Sequence, residues 1–271
     1  MRGLGWVSAA VAASKVPRLL SSPGPLIVMY HGVGGEDGVP VTRLDQQLRA
    51  LQYRRHVVRM TEAVEAVGQR CAGELAAVTF DDGYRDFAEL AVPVVRAYGV
   101  HATLFVPAGW IGGVNGWDTG RAEQRAILTG RELRELDPSV VSVGAHGLTH
   151  RRLAGLSPAE LHTETTVAKH VLEQACGRPV TLFAYPYGQA DDFDTAAERA
   201  VAEAGFVAAC STRFGRGSQP AERFRLRRLG IEAGDSLEVV ERKFDGAYDW
   251  VAWKEALGAR ARRWRRLAAS A

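Results

Sequence analysis

Residues Ala76-Ala77-Val78-Thr79-Phe80-Asp81-Asp82-Gly83-Tyr84 run a short apolar segment of strand length straight into two adjacent carboxylates and a glycine. Neighbouring Asp side chains repel each other, and at the end of a buried strand both stay ionised only where a cation or a set of donors compensates them. A helix N-cap accounts for one Asp at a strand-to-helix turn, because its carboxylate accepts from free backbone N–H groups, but not for two. A metal is the simplest compensator. A second stretch, Val141-Ser142-Val143-Gly144-Ala145-His146-Gly147-Leu148-Thr149-His150, has the same form, a small and β-branched run ending in metal-ligand residue types. Two imidazoles four positions apart can converge on one ion, and imidazole with carboxylate oxygen suits a zinc-like cation that keeps an open position. An isolated H-x-x-x-H is weak evidence, since most histidines are surface or core residues; the weight lies in the two stretches together.

Outward from these strands the chain alternates. Leu26-Ile27-Val28-Met29-Tyr30 is a continuous apolar run, as expected of a parallel strand buried on both faces, and it ends at His31 and Gly32. Leu44, Leu48 and Leu51 mark a helix over 42–54, for which Thr42 with Asp45 is the expected cap, and Thr61 is the expected cap of a helix over 61–67. Residues 87–98 carry apolar side chains at helical spacing, Gly99 supplies the stop, and 102–106 is the next strand. The connection from Pro107 to Thr129 is too long for an ordinary barrel loop and holds Trp110, Trp117 and Asp118; its indoles can stack on a flat ligand face or tuck under the loop as local core. A short helix over 131–136 precedes the histidine strand, and Ser157 with Glu160 forms the expected capping box of a helix over 157–175 that Gly177 ends and on which His162 and His170 are exposed. Strands over 180–184, 206–211 and 224–231 and a helix over 194–204 complete the pattern. Strand followed by helix predicts an α/β fold, a parallel barrel in a single domain. In such a barrel the site lies at the carboxyl ends of the strands, so His31, Asp81, Asp82, His146, Tyr185 and Tyr187 are expected to meet.

The chain of 271 residues, 46% hydrophobic and 24% charged, suits one large core better than two. A net charge of +3 creates no general attraction for nucleic acid, and no nucleic-acid partner is expected. Cys71, Cys176 and Cys210 are odd in number and widely spaced, which argues against a disulfide framework and against a sulfur-ligated zinc site. Residues 1–24 read as a leader or N-terminal helix closed by Ser21-Ser22-Pro23-Gly24-Pro25, residues 25–245 as the barrel and 246–271 as a basic amphipathic tail. The apolar part of the leader is diluted by Gly, Ser and Ala and makes a poor secretory signal, so the expected location is the cytoplasm. In the tail, Trp250, Trp253, Leu257, Trp264 and Leu267 fall near one helical face while Lys254, Arg260, Arg262, Arg263, Arg265 and Arg266 supply positive charge. Such a segment can lie on an anionic membrane; the alternative is a helix packed on the barrel with a solvated basic end. The full chain is expected to co-sediment with anionic vesicles more strongly than a version ending near Tyr248, and equal binding removes the expectation of peripheral membrane contact.

The order T-F-D-D-G at Thr79–Gly83, H-x-x-x-H at His146–His150 and P-Y-G at Pro186–Gly188 resembles the polysaccharide deacetylase family, carbohydrate esterase family 4, over about Pro25 to Phe244. The resemblance implies a distorted (β/α)7-type barrel. It implies Asp82, His146 and His150 as ligands of a divalent metal, most simply Zn2+, with Asp81 as the base, a water on the metal as nucleophile and the backbone N–H of Tyr187 as oxyanion donor. The usual family has a late L-x-H whose histidine is the acid, whereas no histidine follows Gly188 here. Met29-Tyr30-His31 is similar to that motif and makes His31 the candidate acid, as in the circularly permuted subgroup typified by poly-β-1,6-N-acetylglucosamine deacetylases, where that strand comes first. His101, expected at the opposite barrel end, and His56, among basic residues, are the alternatives. Two further departures concern the supporting residues. Ala184 stands where many members have an arginine that orients the catalytic Asp, and Gly147 replaces a Ser or Thr.

Arg228 is a candidate to replace the missing arginine, with a surface salt bridge as the alternative, and is also a substrate-binding candidate together with Trp110, Trp117, Asp118 and Tyr185. The expected activity is a metal-dependent amide hydrolase that removes an N-acetyl group from a sugar or glycan. The competing expectations are a catalytically silent glycan-binding barrel with a structural metal, and a deformylase or deacetylase of a lipid-linked aminosugar. Retention of both Asp81 and Asp82 favours an enzyme, because a structural site has no use for the adjacent base.

Overall fold

The computed structural model describes residues 24–118, 123–216, 219–249 and 251, so the expectations for the leader and for nearly all of the tail lie outside the described residues. Eight parallel strands form, β1 Leu26–Tyr30, β2 His56–Val57, β3 Leu75–Phe80, β4 Ala102–Val106, β5 Val141–Ala145, β6 Leu182–Ala184, β7 Ala208–Phe214 and β8 Leu226–Gly230. Their order is β1-β8-β7-β6-β5-β4-β3-β2, and β1 also pairs with β3, so seven strands close a barrel and β2 rides on the outside of β3 as a short edge. The first strand of the chain thus sits between β3 and the last strand, the position expected of the permuted subgroup.

Alternation along the strands divides the core in two. Leu26, Val28 and Tyr30 of β1 and Ala76, Val78 and Phe80 of β3 face the helices, with Tyr30 stacked on Phe80 at 5.1 Å. Ile27, Ala77, Phe105, Leu182, Ala184, Ala208, Cys210 and Leu226 face inward, and Met60, Ala63 and Val64 of a short helix pack against them. Gly144 of β5 is required there, because a Cβ would stand 2.5 Å from the Phe105 ring.

The helices are α1 Val41–Arg54, α2 Met60–Glu65, α3 Val92–Ala97, α4 Gly130–Glu135, α5 Pro158–His162, α6 Ala168–Cys176, α7 Thr195–Glu203 and α8 Leu237–Phe244. Capping boxes form at Thr129 with Glu132 and, as predicted, at Ser157 with Glu160, and Gly177 ends α6 in the left-handed region at φ 70°. Thr42 and Thr61 are not caps. Pro40 and Arg59 occupy the cap positions instead, and both threonines lie one residue inside their helices; proline's fixed φ lets α1 begin directly after it. The single helix predicted over 157–175 is interrupted by a wide π-turn, Thr163–Val167, which joins α5 to α6. No described helix is long and apolar enough to cross a membrane.

Candidate metal centre

Parallel register brings the loaded strand ends to one level. Tyr30 pairs with Phe80 and the Asp81 N–H donates to the Tyr30 carbonyl at 2.9 Å, so His31 and Asp81 leave β1 and β3 side by side. On β5, Ala145 is in register with both Val106 and Phe183, and His146 follows directly. His31, Asp81, Asp82, Trp117, His146, His150, Tyr187 and Thr212 line one pocket of about 200 Å³. Strain concentrates there. Among the described residues, the non-glycine positions with positive φ are Asp82 at 74°, His150 at 59° and Tyr187 at 60°, and all three line this pocket. Such conformations persist where surrounding contacts over-determine them.

Asp82, His146 and His150 are buried and each offers a ligand atom within 4.8 Å of the others. The Asp82 Oδ1 lies 3.2 Å from His150 Nε2 and 3.6 Å from His146 Nε2. His146 Nδ1 is 2.7 Å from the Ala184 carbonyl, an acceptor only, so the ring proton sits on Nδ1 and Nε2 carries a lone pair. Burial lowers the His146 pKa to about 4, which keeps the ring neutral at ordinary pH. Two acceptors, Nε2 and a carboxylate oxygen, therefore face each other in a buried site, and a cation between them resolves the conflict. Two imidazoles and one carboxylate, with solvent access through the pocket, fit a zinc-like ion with an open position. His150 is held by an aromatic surround, its ring stacked on Trp117 at 4.1 Å and meeting Tyr187 at 5.2 Å edge-on.

Asp81 is held differently. Arg228 Nη1 and Nη2 donate to its two oxygens at 2.7 and 2.6 Å, while Arg228 Nε donates to the Ser211 carbonyl at 2.9 Å. Burial pushes the Asp81 carboxyl up, but Arg228, with His146 and His31, outweighs it and leaves the pKa below the usual carboxylate value. Asp82 behaves alike, with burial offset by the bond to His150 and by the neighbouring imidazoles of His31 and His146, which leaves its pKa below the usual carboxylate value.

The candidate residues divide on this geometry. Arg228 is buried beneath Asp81 and has no face toward substrate, which corrects the substrate-binding expectation; its guanidinium is paired with Asp81, the contact expected of a substitute for the arginine missing at Ala184. Tyr185 is also a core residue, its ring stacked on Phe193 at 4.0 Å and its hydroxyl donating to the Phe224 carbonyl, because alternation turns it away from the pocket. Trp110 supports the histidine loop from behind, donating from Nε1 to the Thr149 carbonyl at 3.1 Å, whereas Trp117 forms pocket wall. Asp118 ends a short turn beside Trp117, and its side chain lies outside the described part. His101 precedes β4 at the far barrel end near Ser142, and His56 is exposed on β2.

The sequence model of the polysaccharide deacetylase family matches residues 68–209. The chain belongs to that family. The deacetylase is an enzyme acting on acetylated carbohydrate, and it is 24% identical over 215 residues to the Bacillus subtilis protein YxkH, named as a polysaccharide deacetylase, covering 78% of this chain and 72% of that one. Among solved structures, the Streptococcus pyogenes deacetylase PplD superposes with a TM-score of 0.69 at 23% identity over 83% of this chain and 99% of its own. IcaB from Ammonifex degensii gives 0.69 at 23% identity over 83% and 98%. At these identities the structural likeness establishes the barrel, and the site rests on the residues described above.

One residue of the deacetylase's site escaped the sequence reading. Glu164 lies in the wide π-turn, buried, and its carboxylate reaches the loop between His146 and His150. The signal was its place three residues after Leu161, on the stripe that Ala168 and Leu172 continue, where a carboxylate is out of character.

Proposed function

We propose that the deacetylase is a metal-dependent carbohydrate N-deacetylase, with Asp82, His146 and His150 holding a divalent ion, most simply Zn2+. The observation that carries this is the acceptor cluster at Asp82 with the ion-paired carboxylate of Asp81 and the imidazole of His31 in the same pocket. Such an ion supplies Lewis-acid polarisation of a carbonyl oxygen and lowers the pKa of a bound water from 15.7 toward about 7. Asp81, kept ionised through the neutral range by Arg228, takes the proton of the attacking water. The backbone N–H of Tyr187, in the left-handed region, is the donor proposed for the oxyanion, a contribution of about 3 kcal/mol in the transition state. His31 gives a proton to the departing amine, which cannot leave as an anion.

A cleft of about 580 Å³ shares His31, Tyr187 and Thr212 with the pocket and continues past Arg152, Gln189 and Glu232. It gives room for sugar units flanking the reacting one. A solved neighbour named as a deacetylase holds acetate, the expected product of N-deacetylation. Metal analysis coupled to acetate release from a panel of N-acetylated glycans tests the reading. One equivalent of ion per chain and acetate release that stops on chelation and returns with Zn2+ are expected. Bound metal with no turnover on any substrate would favour a silent barrel, and formate in place of acetate a deformylase.

A further inference from the structure

We infer that Glu164 is a positioning residue for the metal centre, the element that sets the spacing of His146 and His150. The inference rests on the metal-binding reading above and goes beyond it by assigning a residue outside the family's motifs.

The turn Gly147-Leu148-Thr149 between the two histidines is pinned from both sides. Its carbonyls face the β4 loop, where Ala108 N–H donates to Gly147 at 3.0 Å, Gly109 N–H to Leu148 at 2.8 Å and Trp110 Nε1–H to Thr149 at 3.1 Å. Its donors face Glu164. Leu148 N–H and Thr149 N–H donate to Oε2 at 2.8 and 3.0 Å, and the Thr149 hydroxyl donates to Oε1 at 2.6 Å. Glu164 is 2% exposed, and no cationic side chain forms an ion pair with it among the described residues. A carboxylate removed from water and without a counter-ion is costly, and this turn is what compensates it.

Two local features are organised around the contact. A π-turn in place of a regular helical turn carries Glu164, with both Glu164 and Thr165 buried; such turns recur at functional sites. Gly147 has φ 74°, and a Cβ there would stand 3.0 Å from Glu164 Oε2, so the departure to glycine at this position admits the carboxylate. His150, next after Thr149, is itself in the left-handed region, a conformation that a loosened turn would release. Without the carboxylate two backbone N–H groups lose their acceptor, the turn relaxes, and the two Nε2 atoms no longer meet at Asp82.

The test uses the full chain, freed of metal and titrated with Zn2+ alone against a chromophoric chelator, with hydrogen exchange across 146–150 and the melting temperature of the metal-free protein measured alongside. Glu164→Ala is expected to weaken Zn2+ binding by about 10- to 100-fold and to speed exchange at Leu148 and Thr149. Glu164→Gln keeps an acceptor for the two N–H groups and is expected to bind Zn2+ near the wild-type strength. Thr149→Val, at an exposed position, removes one of three bonds and is expected to lose about two- to tenfold, which keeps the inference open to test should Glu164→Ala fail to fold. Wild-type affinity in Glu164→Ala or in Thr149→Val overturns it, as does a lowered melting temperature with unchanged affinity, or Glu164→Gln as weak as Glu164→Ala. Failure of the wild-type chain to bind Zn2+ at all would instead remove the metal reading on which the inference stands.

Discussion

Replacement of His31 by Ala is expected to lower kcat on N-acetylated sugars by about 10²- to 10⁴-fold while leaving the fold and the metal content intact. Seven histidines are available to protonate the leaving amine. His146 and His150 are committed to Asp82, His101 lies at the opposite barrel end, and His56, His162 and His170 are exposed away from the pocket. His31 remains, beside Asp81 through the β1–β3 register and on the wall of both the pocket and the adjoining cleft. Because it is exposed, its truncation removes no core packing. Aryl acetates, whose leaving groups need no proton, should lose much less, and the ratio of amide to aryl-ester turnover isolates the acid role. Wild-type amide turnover in His31→Ala, or loss of the metal, would show that another group supplies the proton.

The second large effect concerns stability. Arg228→Met leaves Asp81 as an unpaired charge in a fully buried site, and breaking such a pair from one side costs about 3–5 kcal/mol. For a domain of this size the melting temperature should fall by roughly 6–20 °C. The pH dependence carries a definite sign. In the wild type Arg228 holds the Asp81 pKa below its unfolded value, so the stabilisation is complete above the unfolded pKa and disappears as pH falls through the folded one. In Arg228→Met, burial, the largest influence on this carboxyl, has lost its main opponent and pushes that pKa up, so the carboxyl is better tolerated at low pH and penalised as pH rises. The gap between wild type and variant is therefore widest near neutrality and closes on acidification, as melting curves between pH 4 and 8 would show. The double variant Asp81→Leu/Arg228→Met removes both charges and should recover much of the stability with none of the turnover. A single variant that melts with the wild type at neutral pH would mean that the ion pair is not what holds this layer of the barrel.

The sequence by itself determined the parallel barrel and marked the strand ends that carry Asp81, Asp82 and His146 as the chemically loaded ones. Continuous apolar runs such as Leu26–Tyr30 are readable because a strand buried on both faces has no polar alternation to hide it, and Asp81 with Asp82 is readable because adjacent carboxylates at a strand end need compensation. Set beside the late L-x-H of the family it resembles, the lack of any histidine after Gly188 makes Met29-Tyr30-His31 the legible candidate for the acid. Only the tertiary structure decided which residues support that site. Arg228 reaches Asp81 across 147 positions, Glu164 reaches back to Leu148 and Thr149 from the next helical segment, Tyr185 turns into the core while Tyr187 two residues on lines the pocket, and Trp110 braces the loop that Trp117 covers. Local spacing carries no record of these pairings. They depend on how β8 falls between β1 and β7 when the barrel closes, and on which way each side chain faces, a choice that one residue of register reverses.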